Sequence, residues 1–241
     1  MANVEAVFLS TTSTGAVLDV AATSSPGTDV HVVPASQTDM PVLWAFNHGS
    51  TVAELLTLEL GGTAAKDRMS MVLYPNAPPT KVLWNRLFVR GTAPIVKAYA
   101  STTNVIGIIG MVQRVGGTAT AYAETWLKLS ASTDGVPIDI DGNAGAPTDI
   151  HVATSTAGER DYVTIEAHNY DTDNARGIGI IMNGSVLKVT IQPLAGSVLV
   201  VPGCPFNGIT ITGYPETADD GTAAADSMVA VSGHVFRRSA S

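Results

Sequence analysis

The chain has 241 residues, 14% of them charged, a net charge of −8 and a single cysteine, Cys204. That length supplies two ordinary cores. One cysteine excludes an intrachain disulfide and a cysteine-built metal centre, and the lack of a Lys/Arg cluster beyond Arg237-Arg238 argues against a nucleic-acid partner.

Short runs of alternating or β-branched apolar residues, ended by Gly, Pro, Asn or Asp, predict strands along the whole chain. They fall at 16–20, 30–33, 42–47, 56–60, 69–74, 83–89, 95–100 and 105–115. Residues 51–60 open with a capping-box pattern, Thr51 and Glu54, but Leu56, Leu58 and Leu60 alternate strictly and lead into Gly61-Gly62. A strand and a hairpin turn are therefore expected there. A second set follows at 138–140, 150–153, 162–169, 178–182, 186–191, 197–201, 209–212 and 228–236, with a hairpin turn at Asn183-Gly184. Spacing of about 8–12 residues between strands predicts an all-β fold of sandwich or barrel type.

The two sets are copies of one unit. Residues 9–32 align without a gap on 129–152, and eight of the 24 pairs are identical: Leu9/Leu129, Ser10/Ser130, Gly15/Gly135, Asp19/Asp139, Thr28/Thr148, Asp29/Asp149, His31/His151 and Val32/Val152. Chance at this composition gives roughly one or two. The match continues at slightly larger offsets. Ala45 and Asn47 meet Ala167 and Asn169, and Gly110, Val112 and Arg114 meet Gly233, Val235 and Arg237. The expected organisation is a first β-sandwich at 1–115, a Gly- and Thr-rich linker at 116–124 and a second β-sandwich at 125–241. The copies differ in length around 66–84 and around 216–226.

Motifs that carry chemistry are sparse. Asp29-x-His31 and Asp149-x-His151 place an acid and an imidazole two apart, on one face of a regular strand. That spacing suits an acid–base or metal pair. With no further carboxylate or His seen to recur beside them, a structural hydrogen bond at strand entry is the expectation. Asp139, Asp141 and Asn143 resemble the start of a calcium loop, but position 12 is Ile150 instead of Glu. Asp171, Asp173, Asn174 and Asp219-Asp220 read as solvated acidic turns. Gly177-Ile178-Gly179 lacks the following helix of a dinucleotide site. Asn183-Gly184-Ser185 matches a glycosylation sequon, which has no meaning without a secretory route. Cys204 has no base in sequence to activate it. Trp44, Trp84 and Trp126 read as core or interface anchors. No catalytic, cofactor-binding or metal-binding residue is therefore assigned, no cofactor is expected, and the expectation is a protein that is not an enzyme.

The patterns Leu56-Thr57-Leu58, Gly61-Gly62-Thr63, Asn104-Val105-Ile106 and Val112-Gln113-Arg114 resemble the small β-sandwich virion proteins of tailed bacteriophages. So do residues 198–203 and 231–235 in the second copy. The resemblance implies a jelly-roll-like fold and a head decoration role, with the major capsid protein as partner, self-association as a homotrimer, and a place in the virion after synthesis in the host cytoplasm. A tail or fibre component binding a receptor or glycan is the alternative. A membrane partner is not expected, because the start has no basic leader and the longest apolar runs fall far short of a membrane span.

Overall fold

The alternating segments pair into antiparallel ladders throughout the computed structural model, which describes residues 3–12, 15–34, 37–49, 51–84, 87–89, 95–116, 124–216 and 228–239. In the first half the strands are β1 (Asn3–Val7), β2 (Leu18–Asp19), β3 (Thr28–Val32), β4 (Thr38–Asn47), β5 (Glu54–Leu60), β6 (Arg68–Leu73), β7 (Thr80–Leu83), β8 (Phe88–Val89), β9 (Ile95–Ala100) and β10 (Ile106–Gly116). In the second half they are β11 (Glu124–Lys128), β12 (Ile138–Asp139), β13 (Thr148–Val152), β14 (Glu159–Asn169), β15 (Arg176–Met182), β16 (Ser185–Ile191), β17 (Ser197–Phe206), β18 (Thr210–Glu216) and β19 (Val229–Ser239). A single 3-10 turn at Ala65–Asp67 is the one helical element among the described residues.

These strands form four sheets, two in each half. The first half has the orders β1-β10-β4-β7 and β3-β9-β5-β6, and the second has β11-β19-β14-β17 and β13-β18-β15-β16. The orders are the same strand for strand, with β2 and β12 added to β10 and β19. Each half buries one apolar cluster drawn from both of its sheets. In the first, Leu43, Ile108 and Val112 pack with Leu56, Leu58 and Val96. In the second, Val163, Ile165 and Val231 pack with Ile178, Ile180 and Ile211. A fully buried Leu, Ile or Val contributes about 1.5–3 kcal/mol, so these two sets are the main source of stability.

The all-β class is as the sequence predicts, and several details differ. β1 and β11 were not anticipated. Both are short, and β11 starts at Glu124, inside the expected linker. Residues 117–123 of that linker and most of the insert at 216–226 lie outside the described residues. The expected strand 83–89 is instead the end of β7 and the separate β8. The Asn183-Gly184 hairpin is as expected, with φ of 50° and 80° at the two residues. The Gly61-Gly62 hairpin is lengthened by the 3-10 turn, where Asp67 caps Ala64 N–H.

The chain folds the halves against each other along the outer edge of β6. Gly196 N–H donates to Ser70 O at 3.3 Å, and Met71 pairs with Ala195 in an isolated antiparallel bridge. His168 Nε2 lies 2.9 Å from Lys66 O. Leu87 O lies so near Gly135 that a Cβ there would stand 2.1 Å from it.

Candidate functional site

The most concentrated chemistry among the described residues is a buried network that occurs once in each half. Cross-strand register builds it. Asp39 on β4 stands opposite Arg114 on β10, and Asp161 on β14 stands opposite Arg237 on β19. The third member comes from the other sheet, His31 on β3 and His151 on β13.

Arg114 grips Asp39 through both ends of its guanidinium, Nε to Oδ1 at 2.8 Å and the terminal nitrogen to Oδ2 at 2.9 Å. His31 Nε2 reaches Asp39 Oδ2 at 3.0 Å, and Ser10 N–H donates to His31 Nδ1 at 3.2 Å. The second half repeats this nearly to the tenth of an ångström: 2.7 and 2.9 Å from Arg237 to Asp161, 3.0 Å from His151 Nε2, and 3.2 Å from Ser130 N–H to Nδ1. Thr154 N–H adds a further donor to Asp161 Oδ2 at 2.9 Å. Because Nδ1 accepts a backbone N–H in both halves, the ring proton sits on Nε2 and is donated to the carboxylate.

Both carboxylates are fully buried. Burial alone pushes a carboxyl pKa up. The hydrogen bonds and charges of Arg114 and His31 together outweigh it at Asp39, and those of Arg237, with the hydrogen bonds of Thr154 N–H and His151, outweigh it at Asp161, so both lie below the usual value. Burial lowers His151 more than its bond to Asp161 raises it, so its pKa falls below the ordinary imidazole value. Arg237 is raised, chiefly by its hydrogen bond to Asp161.

The alternative reading, an acid–base or metal pair within each Asp-x-His, does not form. A β-bulge lies between Asp29 and His31, and another between Asp149 and His151. Each bulge turns two successive residues inward, Val30 with His31 and Ile150 with His151, and leaves the Asp exposed. Asp29 pairs instead with Lys97 on β9 at 2.6 Å. The reading that no further carboxylate recurs beside the His pair is corrected here. Asp39 and Asp161 are that carboxylate, repeated 122 positions apart (161 − 39), the same offset as the Ala45/Ala167 match.

The remaining identities in the duplicated block also have structural tasks. Ser10 Oγ accepts Val32 N–H at 2.7 Å, and Ser130 Oγ accepts Val152 N–H at 2.8 Å. Thr28 Oγ1 accepts the N–H groups of Ala21 and Ala22, and Thr148 those of Asp141 and Gly142. Asn47 and Asn169 are buried, and each Nδ2 donates to two carbonyls, Val52 and Leu73 in one half, Asn174 and Ile191 in the other.

Asp139, Asp141 and Asn143 do not converge on one point. Asp139 accepts from the Tyr170 hydroxyl, Asp141 from Thr148 Oγ1, and Asn143 from the N–H groups of Gly145 and Ala146. Asp171 caps Asp173 and Asn174 and binds Arg176, while Asp219 and Asp220 lie outside the described residues. Among the described residues no three His, Cys, Asp or Glu side chains group so as to hold a metal ion. Gly177 and Gly179 lie on β15, where a Cβ at Gly179 would strike the Tyr214 ring at 2.5 Å. Cys204 is half-buried on β17. Trp44 and Trp84 are half-buried on either side of exposed Lys81, whose Nζ lies 5.9 and 5.4 Å from their ring centres. Trp126 packs on His234 and Phe236.

A groove of about 430 Å³ runs past the second network, with Trp126, His151, Val152 and Arg237 among its walls and Thr38 contributed by the first half. Both nitrogens of His151 are engaged, by Ser130 N–H and by Asp161, so the ring offers no base to that groove. The chemistry of the network is that of a tie between two sheets. No helix of the described residues is long and apolar enough to cross a membrane.

No family model matches the chain, and no curated protein matches it. Among solved structures it is similar to PNGF-II, with a TM-score of 0.41 and 8% identity over 99% of this chain. The chain spans 65% of that one's length.

Proposed function

We propose that the chain is a non-enzymatic structural protein of a tailed-phage particle, two tandem jelly-roll-like β-sandwiches that decorate the head and stabilise the lattice of the major capsid protein. The sandwich reading is supported by the single core in each half that unites two sheets of interleaved strands. A four-bladed propeller would take each four-stranded blade from consecutive strands; here one sheet takes β3, β5, β6 and β9, and the other takes β1, β2, β4, β7, β8 and β10.

The observation that carries the structural role is where the charged chemistry goes. In both halves a His, an Asp and an Arg that recur through the duplication are used up in a tie between sheets around a buried carboxylate, while apolar side chains such as Phe8, Val17, Tyr74, Val186 and Leu199 stand exposed. Apolar surface suits docking by many shallow contacts, which add by avidity over a lattice. A protein that binds only the assembled shell shifts the equilibrium toward that shell.

The test is co-sedimentation of the purified chain with shells of the capsid protein. Saturable binding and a higher disruption temperature of the shell are expected; shells that pellet without the chain refute the reading. Quantifying the chain in purified particles separates head from tail. Hundreds of copies place it on the head, and a few copies would support the alternative, a tail or fibre component that binds a receptor or glycan.

A further inference from the structure

The duplication gives the molecule two copies of the same pair of docking faces, and the contact between the halves uses only one face of each pair. In that contact the first half supplies the outer edge of β6 together with Leu87 and Phe88. The second half supplies Gly135, His168 and the turn 194–197. Strand registers identify the equivalents of each. Met71 stands opposite Leu56 as Val189 stands opposite Ile178, so β16 is the second-half counterpart of β6. Phe88 stands opposite Asp39 as Phe206 stands opposite Asp161. Gly135 corresponds to Gly15, and His168 to Phe46. The turn 194–197 corresponds to 76–79, and both turns open on a residue other than glycine with positive φ, Leu194 at 57° and Asn76 at 58°.

Burial differs across these pairs in one consistent direction. Leu87 and Phe88 are fully buried, while Pro205 is exposed and Phe206 half-buried. Met71 is buried, while Val189 is half-buried, and beside it on β16 Val186 and Leu187 are 46% and 37% exposed. Gly135 and Pro137 are buried, while Gly15 and Val17 are exposed, Val17 at 48%. His168 is buried against the 3-10 turn of the first half. The second half has no such turn between β15 and β16, and the counterpart of His168 is the apolar Phe46, half-buried beside Val17. The chain therefore ends on one side in an open strand edge, apolar at Val186, Leu187 and Val189 with the one charge of Lys188 held by Glu216 at 2.7 Å, and on the other in an apolar face that fits such an edge.

We propose that copies of this chain join head to tail, the Val17–Phe46 face of one copy seating on the β16 edge of the next, as Gly135 and the turn 194–197 seat on the first half within a chain. The contact is heterologous, so it closes into a ring if the rotation between copies permits and extends as a fibre if it does not. An edge strand left open otherwise invites unspecific pairing. This inference rests on the self-association expected of a decoration protein and not on the identity of the capsid.

Sedimentation velocity of the full chain at tens of micromolar tests it. Wild type associates. Val17→Lys and Leu187→Lys each weaken association by at least about tenfold, because each puts a charge in an apolar contact. Val152→Lys, on β13 at the opposite edge of the same sheet, leaves association unchanged. An equimolar mixture of the two weakened variants recovers dimers, since one native pair of faces survives between them. Ala16→Lys and Val186→Lys, on the same two faces, replace either variant if its melting profile departs from wild type. A monomeric wild type overturns both this contact and self-association. Association indifferent to both substitutions, or a mixture that stays monomeric, overturns this contact alone.

Discussion

Asp161→Asn changes almost no volume and removes one charge, so it isolates what the buried network contributes. Asp161 Oδ2 receives three donors, from His151, Thr154 and Arg237, and Oδ1 receives Arg237 Nε. The asparagine keeps its carbonyl oxygen where the three donors are. Its NH2 then faces Arg237 Nε, donor against donor, and the guanidinium loses its counter-charge. Removing one member of a buried ion pair costs about 3–5 kcal/mol. The Arg237 side chain is 32% exposed, so water screens part of the loss and the low end applies. The expected loss is about 3 kcal/mol, or roughly 6–12 °C in melting temperature for a chain of this size. Asp39→Asn meets the same geometry at Arg114 and carries a similar loss. Urea denaturation followed by circular dichroism measures both, with Asp149→Asn, an exposed residue, as the control expected within about 0.5 kcal/mol of wild type. A loss under about 1 kcal/mol for Asp161→Asn refutes the view that this network ties the sheets.

Acid should release the same ties. Asp39 and Asp161 have folded pKa values below the ordinary carboxyl value of 3.8, so their contribution is present above that value and is lost as pH falls through the folded ones. His151 is also lowered, from 6.5, so the unfolded chain takes up its proton first and stability begins to decline as pH drops below about 6.5. Melting temperatures from pH 8 to pH 3 should therefore fall monotonically below pH 6.5, and a flat profile contradicts the assignment. Gly233→Ala puts a Cβ 1.9 Å from Thr164 O, and Gly110→Ala puts one 2.4 Å from Val42 O, both against backbone that cannot rotate away. Each should destabilise by about 1–3 kcal/mol in the same urea experiment, the usual cost of forcing extra atoms into a packed site.

The duplication and the all-β class are legible in the sequence because each rests on local information. Apolar alternation reports the face of a strand without reference to its partner, and a repeated block reports a repeated unit. The positions of His31, Arg114 and Asn47 and of their second-half counterparts were visible as repeat identities for the same reason. What joins them was not. Asp39 meets Arg114 through a cross-strand register 75 positions apart, and His31 comes from the other sheet. The bulge at Asp29–His31 breaks the two-residue rule on which the alternative Asp-x-His pairing depended. The uncharged runs 105–112 and 228–235 would invite aggregation as open edges and are safe if paired inside the fold. In the structure β10 and β19 are paired on both sides, and the sheet edges fall to other strands, β16 among them. Strand order decides which strand meets water, and strand order is set by long-range packing, which no window along the chain contains.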